Sequence, residues 1–285
     1  MTIWYYKNYK QWIDDGCKVN DTVITLNINK CNLTKLSKNI DNLINLQELK
    51  CSNNELEKLP KNLSNMINLE ELSCKNNGIR KLPKTLGNLI NLRILKCSLN
   101  RLIELPEIFD KLINLQILDC SNNELTKLPK TIYSLNNLEY ICCSVNKLTQ
   151  LPESIGDLIN LQELYFTINK LTKLPISIMK LKHLKAIAYD NDHIQLPINL
   201  QRFIDRIKNN IINDVHNNSI QTSLLDSINN LLSETITKDI NLIDDNILDD
   251  KTKNIIYNYV DDKTQSSLLI NFEELLVYIL GKIDN

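Results

Sequence analysis

One leucine returns at a fixed interval through most of this chain. Leu46, Leu69, Leu92, Leu115, Leu138, Leu161 and Leu184 each follow the last by 23 residues. A period in this range that never slips describes a stack of equivalent supersecondary units, each burying its apolar face only against its neighbours. It excludes a single conventional core. The chain carries no convincing catalytic signature, so function has to come from the surfaces the stack presents.

The units superpose without gaps. Leu46, Leu49, Cys51, Asn54, Leu56 and Leu59-Pro60 in one copy become Leu69, Leu72, Cys74, Asn77, Ile79 and Leu82-Pro83 in the next. Further copies start at Leu92, Leu115, Leu138 and Leu161, a first copy starts at Val23, and a last one at Leu184 is shortened before Leu196-Pro197. The pattern LxxLxLxxN/CxL resembles that of leucine-rich repeats. The following LP is similar to the 23-residue subclass of intracellular Ras-group and related scaffold repeats. The resemblance covers residues 22–197, about eight units. It implies an α/β solenoid, a leucine-rich-repeat horseshoe with a parallel β-sheet on its concave face.

Each column has a physical role. Leu46, Leu49 and Cys51 alternate as a short strand with inward side chains, and equivalent strands pair in parallel roughly 4.8 Å apart. The asparagine column (Asn54, Asn77, Asn100, Asn123, Asn146, Asn169) marks the turn leaving the strand, where an amide can donate and accept at once. Cys31 and Asp192 replace it in the first and last units. Proline at the opposite turn fixes the backbone dihedral and needs no donor.

Cys51, Cys74, Cys97, Cys120 and Cys143 share one inward position. Strand spacing holds neighbouring Cβ atoms too far apart for disulfides. No CxxC pair or histidine cluster suggests zinc, and no cofactor is expected. Buried free thiols act as small hydrophobes and point to a reducing compartment. Cys142 is expected to face outward on the sheet.

The 285 residues carry a formal net charge of −1, so no global attraction draws the chain to nucleic acid or anionic lipid. Residues 1–197 hold 25 basic and 20 acidic side chains and residues 198–285 hold 8 and 14, a contrast that places a boundary near Pro197. Mild attraction between the parts and an acidic docking surface both account for it. MTIWYYKNYK lacks a secretory apolar core and no run reaches the ~20 apolar residues of a membrane span. The expected location is cytoplasmic, host cytoplasm for a viral protein. The asparagine, isoleucine and lysine bias suits an AT-rich genome, such as that of a protist or a large DNA virus. The five glycines are scattered, which excludes a phosphate-cradling loop.

The outward strand positions form the candidate partner-binding face: Ile94, Lys96, Ile117, Asp119, Tyr140, Cys142, Glu163 and Tyr165. Early coils present mixed charge there and later coils an apolar, aromatic patch, extended at the strand ends by Leu99, Val145 and Ile168. Exposed apolar clusters with tyrosine mark contact surfaces. Ile and Tyr are also good strand residues, and a tail folding back would cover them. Beside the LP turns, Lys81, Glu104 and Lys127 are expected to pair as a solvated edge of weak ion pairs.

Residues 1–21, with Trp4, Tyr5, Tyr6, Tyr9 and Trp12, are expected to form a helical N-terminal cap ending at Asp15-Gly16. Residues 198–285 are expected to form a small all-α domain. Phe203, Ile204, Ile207 and Ile211 share one helical face, Asn218-Ser219 and Asp261-Asp262 serve as start signals, and His216 sits in a loop. The leading function is a non-enzymatic scaffold or adaptor binding an unidentified protein, with neither nucleic acid nor membrane as partner. The substrate-recognition subunit of a ubiquitin ligase and a self-assembling structural protein are the alternatives. No cysteine follows Cys143 to serve as a ligase nucleophile.

Overall fold

The computed structural model describes residues 2–189 and 194–217. Nine parallel strands in chain order form one sheet: β1 (Thr2–Tyr5), β2 (Val23–Asn27), β3 (Glu48–Lys50), β4 (Glu71–Ser73), β5 (Ile94–Lys96), β6 (Ile117–Asp119), β7 (Tyr140–Cys142), β8 (Glu163–Tyr165) and β9 (Ala186–Ala188). Helix α1 (Tyr6–Asp14) follows β1, and α2 (Ile198–Asn217) follows the last strand. Between strands the chain returns through short 3₁₀ turns such as Lys61–Asn65 and Lys84–Asn88. Strands pack on neighbouring strands and 3₁₀ turns on neighbouring turns, the layering of a solenoid.

From β3 to β9 the register advances by 23 residues per strand without a bulge: Leu49, Leu72, Leu95, Leu118, Ile141, Leu164 and Ile187 are Cα partners in succession. These side chains point inward and are buried. With the repeating leucine and the cysteine column they make the apolar interior, each Leu adding roughly 1.5–3 kcal/mol on burial. Proline starts most of the 3₁₀ turns: Pro60, Pro83, Pro129, Pro152 and Pro175 precede them in extended or near-extended conformation.

The asparagine column ties successive coils together. Asn100 accepts a hydrogen bond from the Ile79 N–H at 3.0 Å and donates to the Cys74 carbonyl at 3.0 Å. Asn54, Asn77, Asn123, Asn146 and Asn169 repeat the arrangement. In the first coil Cys31 cannot play this part; its thiol turns back to the Asn29 carbonyl at 3.1 Å. Asp192 lies outside the described residues.

A second asparagine ladder, not anticipated from the sequence, runs along the exposed approach to each strand. Asn68, Asn91, Asn114 and Asn137 donate to the carbonyls of Ile44, Ile67, Ile90 and Ile113 at 2.8–3.0 Å.

The N-terminal cap differs from expectation by one element. Thr2–Tyr5 is a strand, pairing in parallel with β2, and only Tyr6–Asp14 is helical. β-Branched and aromatic residues favour an extended chain, and β2 would otherwise leave an open row of backbone groups. Tyr9 and Trp12 are buried with rings stacked 5.8 Å apart. The Tyr9 hydroxyl accepts from the Ser37 N–H at 2.7 Å and the Trp12 indole donates to the Lys18 carbonyl at 2.7 Å. Gly16, at φ +86°, turns the chain into the first coil.

The chain divides into two compact units, Met1–Phe203 and Ile204–Asn285, the division falling inside α2. Phe203, Ile204, Ile207 and Ile211 are helical as expected, and so is His216, which the sequence placed in a loop. The rest of the proposed helical domain, with Asn218-Ser219 and Asp261-Asp262, lies outside the described residues. Among the described residues no helix is long and apolar enough to cross a membrane.

Candidate functional site

Alternation along each three-residue strand sends the middle residue inward and its two neighbours outward. The register therefore builds two parallel columns on the sheet face. One runs Glu48, Glu71, Ile94, Ile117, Tyr140, Glu163 and Ala186, and the other Lys50, Ser73, Lys96, Asp119, Cys142, Tyr165 and Ala188. All eight candidate residues fall in these columns on β5–β8, so the face gathers residues that are up to 71 positions apart, from Ile94 to Tyr165.

The two halves of the face differ in chemistry. On β3 and β4 the charges satisfy one another: the Lys50 ammonium lies 2.8 Å from Glu48 and 3.7 Å from Glu71. The hydrogen bond to Glu48 raises the Lys50 pKa, with Glu71 adding to it. On β5–β7 the first column is Ile94, Ile117 and Tyr140, each half-buried. The Tyr140 and Tyr165 rings meet at 5.6 Å in a tilted arrangement, and the Tyr165 hydroxyl donates to Glu163 at 2.8 Å. Burial pushes the Tyr140 hydroxyl well above its ordinary range, and nearby Cys142 and Asp119 act in the same direction.

Two candidates sit deeper than an open concave strand position would place them. Tyr165 is 3% exposed and Cys142 only 4%. Cys142 alternates with inward Ile141 and Cys143, as expected, yet the residue is almost closed to solvent. Ala186 and Ala188 are also buried. Among the candidates, the accessible part of the face is thus Ile94, Lys96, Ile117, Asp119, Tyr140 and Glu163, all half-buried.

Lys96 and Asp119 are register partners, but Asp119 is engaged locally, accepting from the Ser121 N–H at 3.1 Å and its hydroxyl at 2.7 Å. Lys96 has no ion-pair partner among the described residues. It stands as a half-buried cation beside two isoleucines.

Elsewhere among the described residues the reactive side chains are thiols, most of them buried, and exposed ion pairs. All eight cysteines are free. Burial drives the thiols of Cys51, Cys97 and Cys120 well above the ordinary range and that of Cys74 to about 12. Among the described residues no three His, Cys, Asp or Glu side chains cluster to hold a metal ion. Along the LP edge Lys81 pairs with Glu104 at 3.2 Å, as expected, whereas Lys127 reaches Glu107 at 3.4 Å and not Glu104. These side chains are well exposed, so each pair contributes little.

Comparison with known proteins gives the stack its relatives. The family described as "Leucine-rich repeat region" matches residues 74–231, and "Leucine Rich Repeat" matches residues 45–66. Among solved structures, an LRR protein of Leptospira interrogans is similar with 37% identity and a TM-score of 0.58, over 64% of this chain and 46% of that one. A plant peptide hormone receptor, RGFR1, in complex with RGF2 is similar with 29% identity and a TM-score of 0.53, over 60% of this chain and 27% of that one. A TDR receptor gives 25% identity and a TM-score of 0.52, over 64% and 36%. The match thus spans less than half the length of each of these structures. No curated protein matches the chain.

Proposed function

The chain belongs to the leucine-rich-repeat family, and we propose that it works as an interaction module that holds a protein partner on the sheet face over β5–β8. The observation that carries this reading is the change in chemistry along one continuous face. Paired charges on β3–β4 give way to Ile94, Ile117 and Tyr140, with Lys96, which has no ion-pair partner among the described residues, beside them. Aromatic and aliphatic anchors next to a lone cation suit a partner segment that is apolar and carries a carboxylate. Such binding needs no reaction, so the module is a scaffold or adaptor and not an enzyme. We assign the repeats to the 23-residue LP subclass, on the fixed period and on the prolines that open the return turns. The eight free cysteines support an intracellular setting.

The test compares capture by the wild-type chain and by the Ile94→Asp/Ile117→Asp variant from cytosol of the source cell, with hydrogen exchange on any complex recovered. The reading expects a partner lost with the variant and exchange protection centred on β5–β7. A partner set that the folded variant retains in full refutes it.

A further inference from the structure

A second surface lies away from the sheet face, on the approach to each strand. Ile44, Ile67, Ile90 and Ile113 occupy one position in four consecutive coils, and they are 46%, 57%, 49% and 60% exposed. The fold does not require isoleucine there: the equivalent positions on either side of the row are Asp21 and Asn136. The row is also held in place, because every one of the four carbonyls accepts an amide hydrogen bond from the following coil. Four half-exposed isoleucines side by side make an apolar strip of a few hundred Å², the scale at which exposed patches mark contact sites.

The residues beside the strip identify its occupant. Three positions on from each isoleucine stand Gln47, Glu70, Arg93 and Gln116, with Arg93 Nε 3.6 Å from Glu70 Oε2 and both side chains substantially exposed. This sequence of charges is self-complementary under a two-fold axis passing between Ile67 and Ile90. Ile44 then meets Ile113 of the second copy and Ile67 meets Ile90. On the flank, Glu70 meets Arg93 and Gln47 meets Gln116. Two glutamates and two arginines close around the axis with no excess charge. A parallel arrangement would set Glu70 on Glu70 and Arg93 on Arg93. We propose that this strip is the seam of an antiparallel homodimer, and that the occupant is a second copy of this chain.

The strip supplies less than the roughly 800 Å² per partner of a standard stable interface, so the dimer forms at about micromolar concentration. The two-fold is isologous and closes on itself, so assembly stops at two copies. The sheet face plays no part in this seam, so either surface can fail its test without affecting the other.

The experiment is sedimentation velocity on the full chain from about 1 to 100 μM. The expected mass rises from 33.0 kDa towards twice that value. Ile67→Lys/Ile90→Lys stays monomeric throughout with an unchanged circular dichroism spectrum. Glu70→Arg and Arg93→Glu each weaken self-association at least about tenfold, since each places like charges around the axis. An equimolar mixture of the two restores association, because the mixed dimer again opposes unlike charges, a rescue that a local folding defect does not produce. A wild-type chain that stays monomeric, an isoleucine variant that still dimerises, or a mixture no better than its components overturns the proposal.

Discussion

Replacing Asn123 by alanine tests whether the inner asparagine column holds the coils together. Its Oδ1 accepts from the Leu102 N–H at 2.9 Å, and its Nδ2 reaches the carbonyls of Cys97, Cys120 and Ser121 at 3.0, 3.1 and 3.0 Å. The three carbonyls keep other donors after the substitution: Asn100 for Cys97, Asn146 for Cys120 and the Leu99 N–H for Ser121. The Leu102 N–H is left with nothing. An orphaned buried donor costs about 1–3 kcal/mol, and the space vacated by the amide adds about 1 kcal/mol more. The expected loss is therefore about 2–4 kcal/mol. Asn91→Ala is the control, since Asn91 donates to the Ile67 carbonyl at 2.9 Å from an exposed position where water can replace it. That loss stays within about 0.5 kcal/mol. Urea unfolding followed by circular dichroism reads the difference. Exchange of the Leu102 amide supplies a local measure, because repeat arrays depart from two-state behaviour. Equal costs for the two variants would refute the accounting.

Two further outcomes follow from the packing and the thiols. A Cβ added at Gly156 would sit 2.4 Å from the Ser177 carbonyl oxygen, whereas one at Gly78 meets nothing nearer than 3.6 Å. Gly156→Ala should thus lose about 1–3 kcal/mol while Gly78→Ala stays neutral or better, and matching urea midpoints for the two would contradict the contact. The Cys74 thiol, raised from 9.0 to about 12, keeps its proton in the fold at pH values where the unfolded chain gives it up. The unfolded state then binds fewer protons. Stability is flat below about pH 8 and falls between about pH 9 and 12, by up to about 1.4 kcal/mol per pH unit for each such thiol. Cys51, Cys97 and Cys120 shift the same way. A urea midpoint unchanged between pH 8 and pH 10.5 would show that these thiols are not buried as described.

The inward columns were legible in the sequence because a strict period needs no tertiary information. Leu49, Leu72 and Leu95 recur in phase, and the phase alone stacks them. The outward columns followed by alternation, which places Ile94, Ile117 and Tyr140 on one face from strand parity alone. Burial was not legible. Cys142 and Tyr165 occupy outward positions like Ile94 and Lys96, yet they are closed off, because accessibility depends on the whole surrounding chain and not on strand parity. The Ile44 row was hidden for a different reason. In LINL and MINL the exposed isoleucine follows a buried leucine or methionine and precedes a buried leucine by two residues, so the sequence reads as apolar where the backbone turns one member out. β1 was hidden because an aromatic-rich segment of about ten residues fits a helical face and an edge strand equally well.

Backbone geometry at the strand ends bears most directly on function. Lys30, Asn53, Asn76, Leu99, Asn122, Val145 and Ile168 form one column, and all seven have φ between 51° and 55°. The left-handed region suits asparagine and costs other L-residues about 1–2 kcal/mol, with β-branched side chains genuine outliers there. The conformation is imposed by both neighbouring coils. The Leu99 N–H donates to the Ser121 carbonyl at 3.0 Å while its own carbonyl accepts from Asn77 at 3.1 Å, and Val145 is held likewise between Thr167 and Asn123. Hydrogen bonds on both sides over-determine the turn, so an unsuitable residue bears the strain and does not relieve it. Asn53, Asn76 and Asn122 show the side chain that the turn itself favours. Lys30 after β2 departs from it with an exposed charged side chain, and Leu99, Val145 and Ile168 depart from it with apolar ones after β5, β7 and β8, within the stretch that the proposed function assigns to the partner. Leu99 and Val145 are half-buried and Ile168 is exposed, so the strain is not offset by full burial of these side chains. Apolar groups kept at a strained and accessible site on the rim of an apolar face are what a contact surface requires and what the solenoid alone does not.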